Sequence, residues 1–384
     1  MTPDLNEVVE DNNAYVARYL TDTWFSILAM IDPATGLVQD RLNISSKRLD
    51  PVTSPTNIGL FLASLVAARD LKLIEAPILH DRITNVLQIL SKMERVRGLY
   101  FFWYRTSDGS LDNSRPQFIS TVDNAWLISG LLIVKNALPE FQSMIQAILS
   151  QMDFLHLYDS RKNLFYGGYS KDSETFSHWH YSLLNTEARI ASYVALNNFE
   201  LSKDHLYGLS APNPILKSWG GSMFEALMPS LFVNECDDTN WNKIHLYHLE
   251  KQMLSARNEN FWGFSPCDSP EGIYTEYGVG ELALKEGGYG VNDVITPHAI
   301  FLAMDCDSKK ALDTLSRLEK FYPAVYTEGY GFADSIDVKT GSISGSRLIL
   351  DQAMSFLALF NYQTKDRLHS YFNNVSPLSI SQIY

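Results

Sequence analysis

The chain has 384 residues, of which 46% are hydrophobic and 20% charged, and its formal net charge at pH 7 is -13. This composition excludes a disordered chain, and the negative charge opposes nucleic acid as a partner, because that binding depends on Lys and Arg neutralising phosphates. The N-terminal stretch is acidic and polar, and no apolar run is long enough to span a membrane. We therefore expect a globular, cytoplasmic protein without nucleic-acid or membrane partners.

Apolar residues recur at three- and four-residue spacing in about twelve segments bounded by Gly, Pro, Asn, Asp or Ser, which is typical of amphipathic helices. In chain order the predicted helices are 5–30, 56–69, 80–95, 122–137, 139–152, 180–197, 220–233, 240–257, 295–305, 308–321, 347–361 and 364–373. Strand-type alternation is scarce, which favours an all-α fold. A single domain over 1–384, an (α/α)6 toroid of six helix pairs, accounts for the series and gathers the aromatic loops at one end.

Helix boundaries are indicated by Ser54-Pro55-Thr56, by Pro139, by Thr296-Pro297 and by Asp307-Ser308. The long loops break strict alternation of inner and outer helices in the middle of the chain. Either a helix is miscounted or a loop on the far face is long, and the error is expected in the segment 199–219.

Metal and cofactor chemistry find no support in the sequence. The histidine pairs lack a zinc-type spacing, and the glycine cluster after Glu286 lacks the ending of a phosphate-binding loop. The cysteines are odd in number and show no CxxC spacing, so structural thiols are expected at Cys236, Cys267 and Cys306. We expect no metal ion and no cofactor.

Nine stretches carry a resemblance to a known family. They are TGLVQDR at 35–41, TSPTNIGLFLASLVAARD at 53–70, STVDNAWLISGLL at 120–132, NTEARIASYVA at 185–195, SWGGSMFEALMP at 218–229, WGFSPCDSPEG at 262–272, NDVITPHA at 292–299, GFADS at 331–335 and LDQAM at 350–354. In this order the chain resembles bacterial glucoamylase-like proteins, relatives of beta-1,2-glucanases and of the transglycosylase module of cyclic beta-1,2-glucan synthases. The resemblance implies an (α/α)6 barrel that acts on a beta-linked glucan.

Glycosidic cleavage needs a proton donor and a second carboxylate. Glu187 has apolar neighbours that predict an inner helix, and a desolvated carboxyl there suits a general acid. The resemblance implies the same role, whereas the alternative is a buried Glu187 paired with an arginine such as Arg189. Asp351 opens the last inner helix, and the resemblance implies a base or a water-positioning residue there. Its alternative role is to balance the helix dipole.

Four more carboxylates lie inside the resembling stretches and are predicted to hold sugar hydroxyls or to join a proton relay: Asp123, Glu225, Asp268 and Asp334. Each of the first three has an ordinary alternative. Asp123 could cap a helix, Glu225 could be a buried structural carboxylate, and Asp268 could shape a turn.

Aromatic residues are concentrated in the predicted loops, and pyranose rings pack on aromatic faces. The predicted sugar-binding residues are Trp103, Tyr104, Trp179, Trp219, Trp262 and Tyr330, with Phe332 beside them. The alternative for each ring is core packing. The leading hypothesis is an inverting glycoside hydrolase with Glu187 as acid and Asp351 as base, acting on a beta-linked glucan, with beta-1,2-glucan as the first candidate, or on a gluco-oligosaccharide. A biosynthetic enzyme performing transglycosylation, elimination or cyclisation, and a non-catalytic glycan-binding protein, remain as alternatives.

Overall fold

The computed structural model describes residues 5–209, 216–257, 260–365 and 367–380. Within these ranges the chain forms thirteen α-helices. They are α1 Leu5–Ala29, α2 Pro55–Asp70, α3 Ala76–Lys92, α4 Thr121–Ala137, α5 Gln142–Leu149, α6 Arg189–Asn198, α7 His205–Gly208, α8 Met223–Leu227, α9 Thr239–Leu254, α10 Pro297–Leu302, α11 Met304–Phe321, α12 Ile349–Thr364 and α13 Arg367–Tyr371. The helix missed at 199–219 is α7, and residues 210–215 of that segment lie outside the described ranges.

Short antiparallel strands connect the helices, so the fold is mostly helical rather than all-α. They are β1 Arg41–Asn43, β2 Arg48–Asp50, β3 Val52–Thr53, β4 Arg95–Val96, β5 Leu99–Tyr100, β6 Tyr104–Arg105, β7 Phe118–Ser120, β8 Tyr158–Asp159, β9 Leu164–Tyr166, β10 Gly168–Ser170, β11 Thr175–Phe176, β12 His180–Tyr181, β13 Cys267–Asp268, β14 Tyr274–Thr275, β15 Val294–Ile295, β16 Tyr326–Thr327, β17 Gly331–Phe332, β18 Ile336–Asp337 and β19 Ser346–Leu348. The sequence did not reveal them because two or three residues are too few to show alternation.

The helices α2, α4 and α12 are buried on nearly every side, as expected of central helices. As predicted, α2 begins after Ser54, whose hydroxyl accepts a hydrogen bond from the Asn57 amide. The backbones of α2 and α4 touch at Gly59 and Gly130, where a Cβ at Gly130 would lie 2.1 Å from the Gly59 carbonyl oxygen. Although these helices are apolar, none in the described ranges is long and apolar enough to cross a membrane.

The buried helices pack in a defined order. Helix α2 contacts α4 and α12, α4 contacts α6, and α10 contacts both α8 and α12. Arg189 at the start of α6 donates hydrogen bonds to the carbonyls of Glu225 and Ala226 in α8. The helices α3, α5 and α11 bury one face only and pack outside this group.

Two predicted boundaries differ from the structure in informative ways. The helix expected at 180–197 begins only at Arg189, because β12 and an irregular turn occupy the residues before it. The boundary expected at Asp307 is a kink inside α11, where Asp307 has φ -149° and ψ 75°. Its carboxylate accepts a hydrogen bond from the Lys310 amide, so the helix restarts there with a side-chain cap.

The small sheets determine which loops meet. Strand β1 pairs with β19, opposing Arg41 to Leu348, and the Ile349 amide donates to the Asp40 carbonyl at 3.0 Å. Strand β15 pairs with β18, and β13 with β14. The segment 35–41 therefore lies beside the first turn of α12, although more than three hundred residues separate β1 from β19.

The prediction that all three cysteines are free thiols is wrong for two of them. Cys236 and Cys306 form a disulfide across 70 residues of sequence, joining the segment before α9 to α11, while Cys267 is free and buried. Their spacing gave no signal because the pair meets only through tertiary packing. Disulfides persist mainly in oxidising compartments, so this bond weighs against the cytoplasmic location expected from the sequence.

Removing this bond is expected to destabilise the fold. Cys236→Ser should lower the free energy of unfolding by about 2–4 kcal/mol, measured by urea denaturation, because the unfolded chain loses a constraint on its entropy. Thiol titration of the unfolded wild-type protein should detect one thiol before reduction and three after it. Three reactive thiols without reductant would contradict the disulfide.

Candidate active site

Two cavities open beside the central helices. The first has a volume of about 490 Å³ and draws its walls from β1, β2, α2, α4 and the start of α12. Its lining side chains include four carboxylates and two arginines. The charged and aromatic residues are Asp40, Asp50, Asp123, Glu187, Arg41, Arg115, Phe102, Trp103, Trp126, Phe224 and Tyr274.

The second cavity has a volume of about 740 Å³ and lies among the loops before α6 and α8. Four of its twelve lining residues are Trp or Tyr. The lining residues are Trp179, His180, Tyr181, Ser182, Leu183, Thr186, Glu187, Trp219, Glu225, Glu276, Leu284 and Tyr289. Of the residues lining the two cavities, Glu187 alone lines both, so its carboxyl lies where they meet.

Glu187 occupies the turn immediately before α6, not the interior of a helix as predicted. Burial raises the pKa of Glu187 to about 8, and the nearby Glu225 carboxylate contributes to this rise. In the described part of the chain its carboxyl pairs with no cation. The side chain is therefore protonated near neutral pH and available to donate a proton.

The alternative in which Glu187 is the buried partner of Arg189 is wrong. The Arg189 guanidinium binds Glu235 instead through two hydrogen bonds, of 2.7 Å from Nε and 2.6 Å from Nη2. Its remaining donors reach backbone carbonyls, including that of Thr186 at 3.0 Å. The Asn185 side chain, which is also close in sequence, donates to the Leu216 carbonyl. Arg189 thus anchors the turn that carries Glu187 without neutralising it.

Asp351 lies in the first turn of α12 and is only 4% exposed. Burial raises the pKa of Asp351 to about 7, and a hydrogen bond from Asp334 limits the rise. His298 Nδ1 lies 3.0 Å from Asp351 Oδ2 and 2.6 Å from Thr296 Oγ1. Burial lowers the pKa of His298 to about 4, so this imidazole is neutral near pH 7.

Asp334 and Asp268 extend this group of carboxyls toward the first cavity. Burial and the adjacent Asp351 raise the pKa of Asp334 well above its ordinary value, so Asp334 holds a proton. The Asp268 amide donates to Asp334 Oδ2, and Asp268 Oδ1 lies 3.1 Å from Arg41 Nη1. Arg41 itself lines the first cavity. Asp268 therefore does more than shape a turn.

Asp123 and Glu225 have different surroundings. Asp123 lines the first cavity and accepts a hydrogen bond of 2.7 Å from the Thr56 hydroxyl, while Ser120 supplies the cap of α4. The Glu225 carboxylate accepts hydrogen bonds from the Gly220 and Ser222 amides and belongs to a capping box. Its oxygens are thus engaged in holding the loop before α8, as the structural alternative predicted.

The predicted aromatics separate into two groups. Trp103 lines the first cavity, and Trp179 and Trp219 line the second. Three others line neither cavity, namely Tyr104, Trp262 and Tyr330, and the burial of Tyr104 and Trp262 contradicts their predicted sugar contact.

These three rings are occupied elsewhere. The buried Tyr104 hydroxyl donates to the Glu94 carbonyl and accepts from the Phe101 amide. Trp262 is 3% exposed and, like Phe332, belongs to the hydrophobic core. Tyr330 is half-buried against that core.

Sequence reasoning missed several residues of the site: Asp40, Arg41, Tyr274, Tyr289 and His298. Asp40, Arg41 and His298 lie inside resembling stretches, which was an available signal. Tyr274 in β14 and Tyr289 in a loop lie outside those stretches and gave none. In the described ranges, no group of three or more His, Cys, Asp or Glu side chains could hold a metal ion.

Two protein families match different parts of the chain. The family described as putative glucoamylase matches residues 192–375, and a family described as protein of unknown function (DUF3131) matches residues 18–204. The cyclic beta-(1,2)-glucan synthase NdvB of Rhizobium meliloti is 31% identical over 228 residues, which are 56% of this chain. The match spans 8% of that much longer protein.

Solved structures share the fold. A putative glucoamylase from Bacteroides caccae superposes with a TM-score of 0.78 and 17% identity, over 94% of this chain and 95% of that one. The endo-beta-1,2-glucanase from Chitinophaga pinensis, in complex with sophorotriose and glucose, superposes with a TM-score of 0.78 and 15% identity over 94% of each chain. A D-mannose isomerase superposes with a TM-score of 0.62 and 13% identity, over 95% of this chain and 100% of that one. The fold alone therefore does not determine the reaction. Together the matches show that the chain is similar in its second half to the putative glucoamylase family, in fold to a beta-1,2-glucanase and in sequence to part of a cyclic beta-1,2-glucan synthase.

Proposed function

We propose that the protein is an inverting glycoside hydrolase that cleaves a beta-linked glucan or gluco-oligosaccharide, with beta-1,2-glucan as the first candidate. The observation that carries the proposal is Glu187, a carboxyl without a cationic partner among the described residues, at the meeting point of two cavities. Its raised pKa, about 8, suits a proton donor. The beta-1,2 linkage is supported by the relatives, one of which acts on that glucan.

In the proposed reaction Glu187 gives its proton to the glycosidic oxygen as the bond to the anomeric carbon breaks. A water molecule attacks that carbon from the opposite face and passes a proton to the ionised Asp351. Glu187 ends ionised and Asp351 protonated, and exchange with solvent restores both. Asp334, already protonated, stabilises ionised Asp351 by donating a hydrogen bond to it.

Asp40 is the alternative base. Asp351 is not among the residues lining the first cavity, although its neighbour Leu350 is, whereas the Asp40 carboxylate lines it directly. Asp40 Oδ1 accepts a hydrogen bond of 2.9 Å from Asn57 Nδ2, which fixes its orientation. If Asp40 is the base, Asp40→Asn will abolish turnover while Asp351→Asn retains much of it.

The proposed architecture is one (α/α)6 toroid formed by the whole chain as a single domain. The packing order of α2, α4, α6, α8, α10 and α12 supports it, because each contacts the next and α12 returns to α2. In such a ring the loops at one end surround a shared cleft.

The pKa values predict a narrow pH optimum for the free enzyme. Catalysis needs Asp351 ionised, so kcat/KM should fall as the pH drops below about 7. It also needs Glu187 protonated, so kcat/KM should fall as the pH rises above about 8. A profile measured from pH 5 to 10 should be bell-shaped, with its maximum between these values. A rate still rising beyond pH 9 would exclude Glu187 as the acid.

A second candidate function, transglycosylation, is favoured by the sequence match to NdvB. The same Glu187 would protonate the leaving sugar, and a sugar hydroxyl would replace water as the attacking group. A non-catalytic glycan-binding protein would have no need of a protonated Glu187, and we rank it last.

The deciding experiment incubates the protein with linear beta-1,2-glucan and with beta-1,3-, beta-1,4- and beta-1,6-linked glucans in ¹⁸O-labelled water. Hydrolysis predicts that one of these glucans yields products that carry ¹⁸O at their reducing ends. Early NMR spectra should show the α-anomer of the product if the reaction inverts. Longer or cyclic products without label would indicate transglycosylation. Binding without any product would leave only the glycan-binding alternative.

A further inference from the structure

The second cavity contains a pair of aromatic rings whose placement depends on glycines. A Cβ at Gly167 would lie 2.1 Å from the Trp179 ring, and a Cβ at Gly220 would lie 2.0 Å from the Tyr289 ring. Real Cβ atoms do not approach so closely, so each ring lies where only a glycine leaves room.

Backbone hydrogen bonds hold both ring–glycine pairs together. The Gly167 amide donates to the Trp179 carbonyl at 3.1 Å, and the Tyr289 amide donates to the Gly220 carbonyl at 3.0 Å. The Tyr289 hydroxyl also hydrogen-bonds the Glu276 carboxylate. In both loops the ring is therefore positioned by a glycine contact and a backbone hydrogen bond, although Trp179 and Tyr289 lie more than a hundred residues apart.

The Trp179 ring is not part of the core. Trp179 is 44% exposed and packs edge-on against Tyr181, with 5.0 Å between centroids, and Trp219 in the same cavity is 52% exposed. Water contact with indole is unfavourable, so a rigidly held, half-exposed ring is typical of a binding surface. Thr186 and Glu276 supply hydrogen-bonding groups on the same walls.

We propose that the second cavity is a sugar-binding site in which a pyranose ring packs on Trp179 and Tyr289. Because Glu187 also lines this cavity, a glycan bound across Glu187 occupies both cavities, with sugar units on each side of the bond that is cleaved. The volume of about 740 Å³ accommodates a ligand of this class. This inference rests on the proposed glycosidase function. It adds that the glycan must be long enough to occupy both cavities.

The test measures binding and cleavage separately. Binding of beta-1,2-linked oligosaccharides of two to eight units is measured by calorimetry in a Glu187→Gln background, alone and with Trp179→Ala, Tyr289→Ala or Gly167→Val added. Tyr207→Ala is the matched control, because Tyr207 is 78% exposed and lines neither cavity. Circular dichroism confirms that each variant is folded.

We expect each cavity variant to weaken binding of the longest oligosaccharides by about tenfold, the loss of one good stacking contact. Binding of the disaccharide should change much less, and the control should match the parent. Equal affinities for the long oligosaccharides in parent and variants would overturn the inference while leaving the hydrolase proposal intact. If no oligosaccharide binds the parent and wild type cleaves none, both proposals fall.

Discussion

Replacing Glu187 by Gln is expected to lower kcat by about 10²–10⁴-fold, the contribution typical of a general acid. Gln preserves the size of the side chain but cannot donate a proton to the leaving oxygen. The turn before α6 should keep its shape, because Arg189 and Glu235 fix it without using the Glu187 carboxyl. Initial rates on the glycan that wild type cleaves provide the measurement.

A substrate whose leaving group needs no proton separates acid catalysis from general damage to the site. With a nitrophenyl leaving group, Glu187→Gln should recover most of the wild-type rate, and the alkaline limb of its pH profile should disappear. The exposed Glu328 provides the matched control, since Glu328→Gln makes the same change at a residue that lines neither cavity. If the kcat of Glu187→Gln on the natural glycan were within tenfold of the wild-type kcat, the assignment of Glu187 as general acid would be refuted.

The buried pair of Arg189 and Glu235 is expected to give the largest effect on stability. Glu235→Gln should lower the free energy of unfolding by about 3–5 kcal/mol, because it leaves the Arg189 cation buried without a counter-ion. Glu235 also accepts hydrogen bonds from the Tyr193 hydroxyl and from His245 when that ring donates. Urea denaturation at pH 7 measures the change.

The pH dependence of the same pair has a defined sign. Burial by itself raises the pKa of Glu235, but Arg189 outweighs it and lowers that pKa from 4.5 to about 2. The stabilisation from ionised Glu235 is therefore fully present above its unfolded pKa of 4.5. It is lost as the pH falls from 4.5 toward the native pKa of about 2. The difference in stability between wild type and Glu235→Gln should shrink accordingly.

Glu94 supplies the matched comparison, since its exposed carboxylate lies 2.6 Å from Lys171 Nζ. Glu94→Gln should cost at most about 1 kcal/mol, because water already screens that pair. Arg189→Met combined with Glu235→Gln should cost less than the sum of the two single changes. If Glu235→Gln is no more damaging than Glu94→Gln, the buried pair does not anchor the turn.

The helices were accessible from sequence because their periodicity and caps are local. Helix α2 begins at the predicted Ser54-Pro55 signal, and even the kink at Asp307 appeared as a boundary. The strands and the late start of α6 were not accessible, because a two-residue strand such as β12 is defined by its partner β9 rather than by its own sequence. The disulfide was missed for the same reason.

The site was predictable in its carboxylates and less so in its aromatics. Glu187 and Asp123 line the same cavity, and Asp351 lies near Asp40 on its wall, because loops that follow central helices converge. A tryptophan in a loop gives no indication of which way it points. Trp179 therefore reaches a cavity while Trp262 fills the core, although the two looked alike in sequence.

The pairing of β1 with β19 bears on how this protein reaches its native state. The two matched families meet near residues 192–204, yet Asp40 and Glu187 come from one side of that junction and Asp351 from the other. The junction is thus not a boundary of the site. The pairing of Arg41 with Leu348 joins segments more than three hundred residues apart, so the first cavity is complete only when these distant segments have met. Neither half, expressed alone, would carry both carboxyls of the proposed reaction.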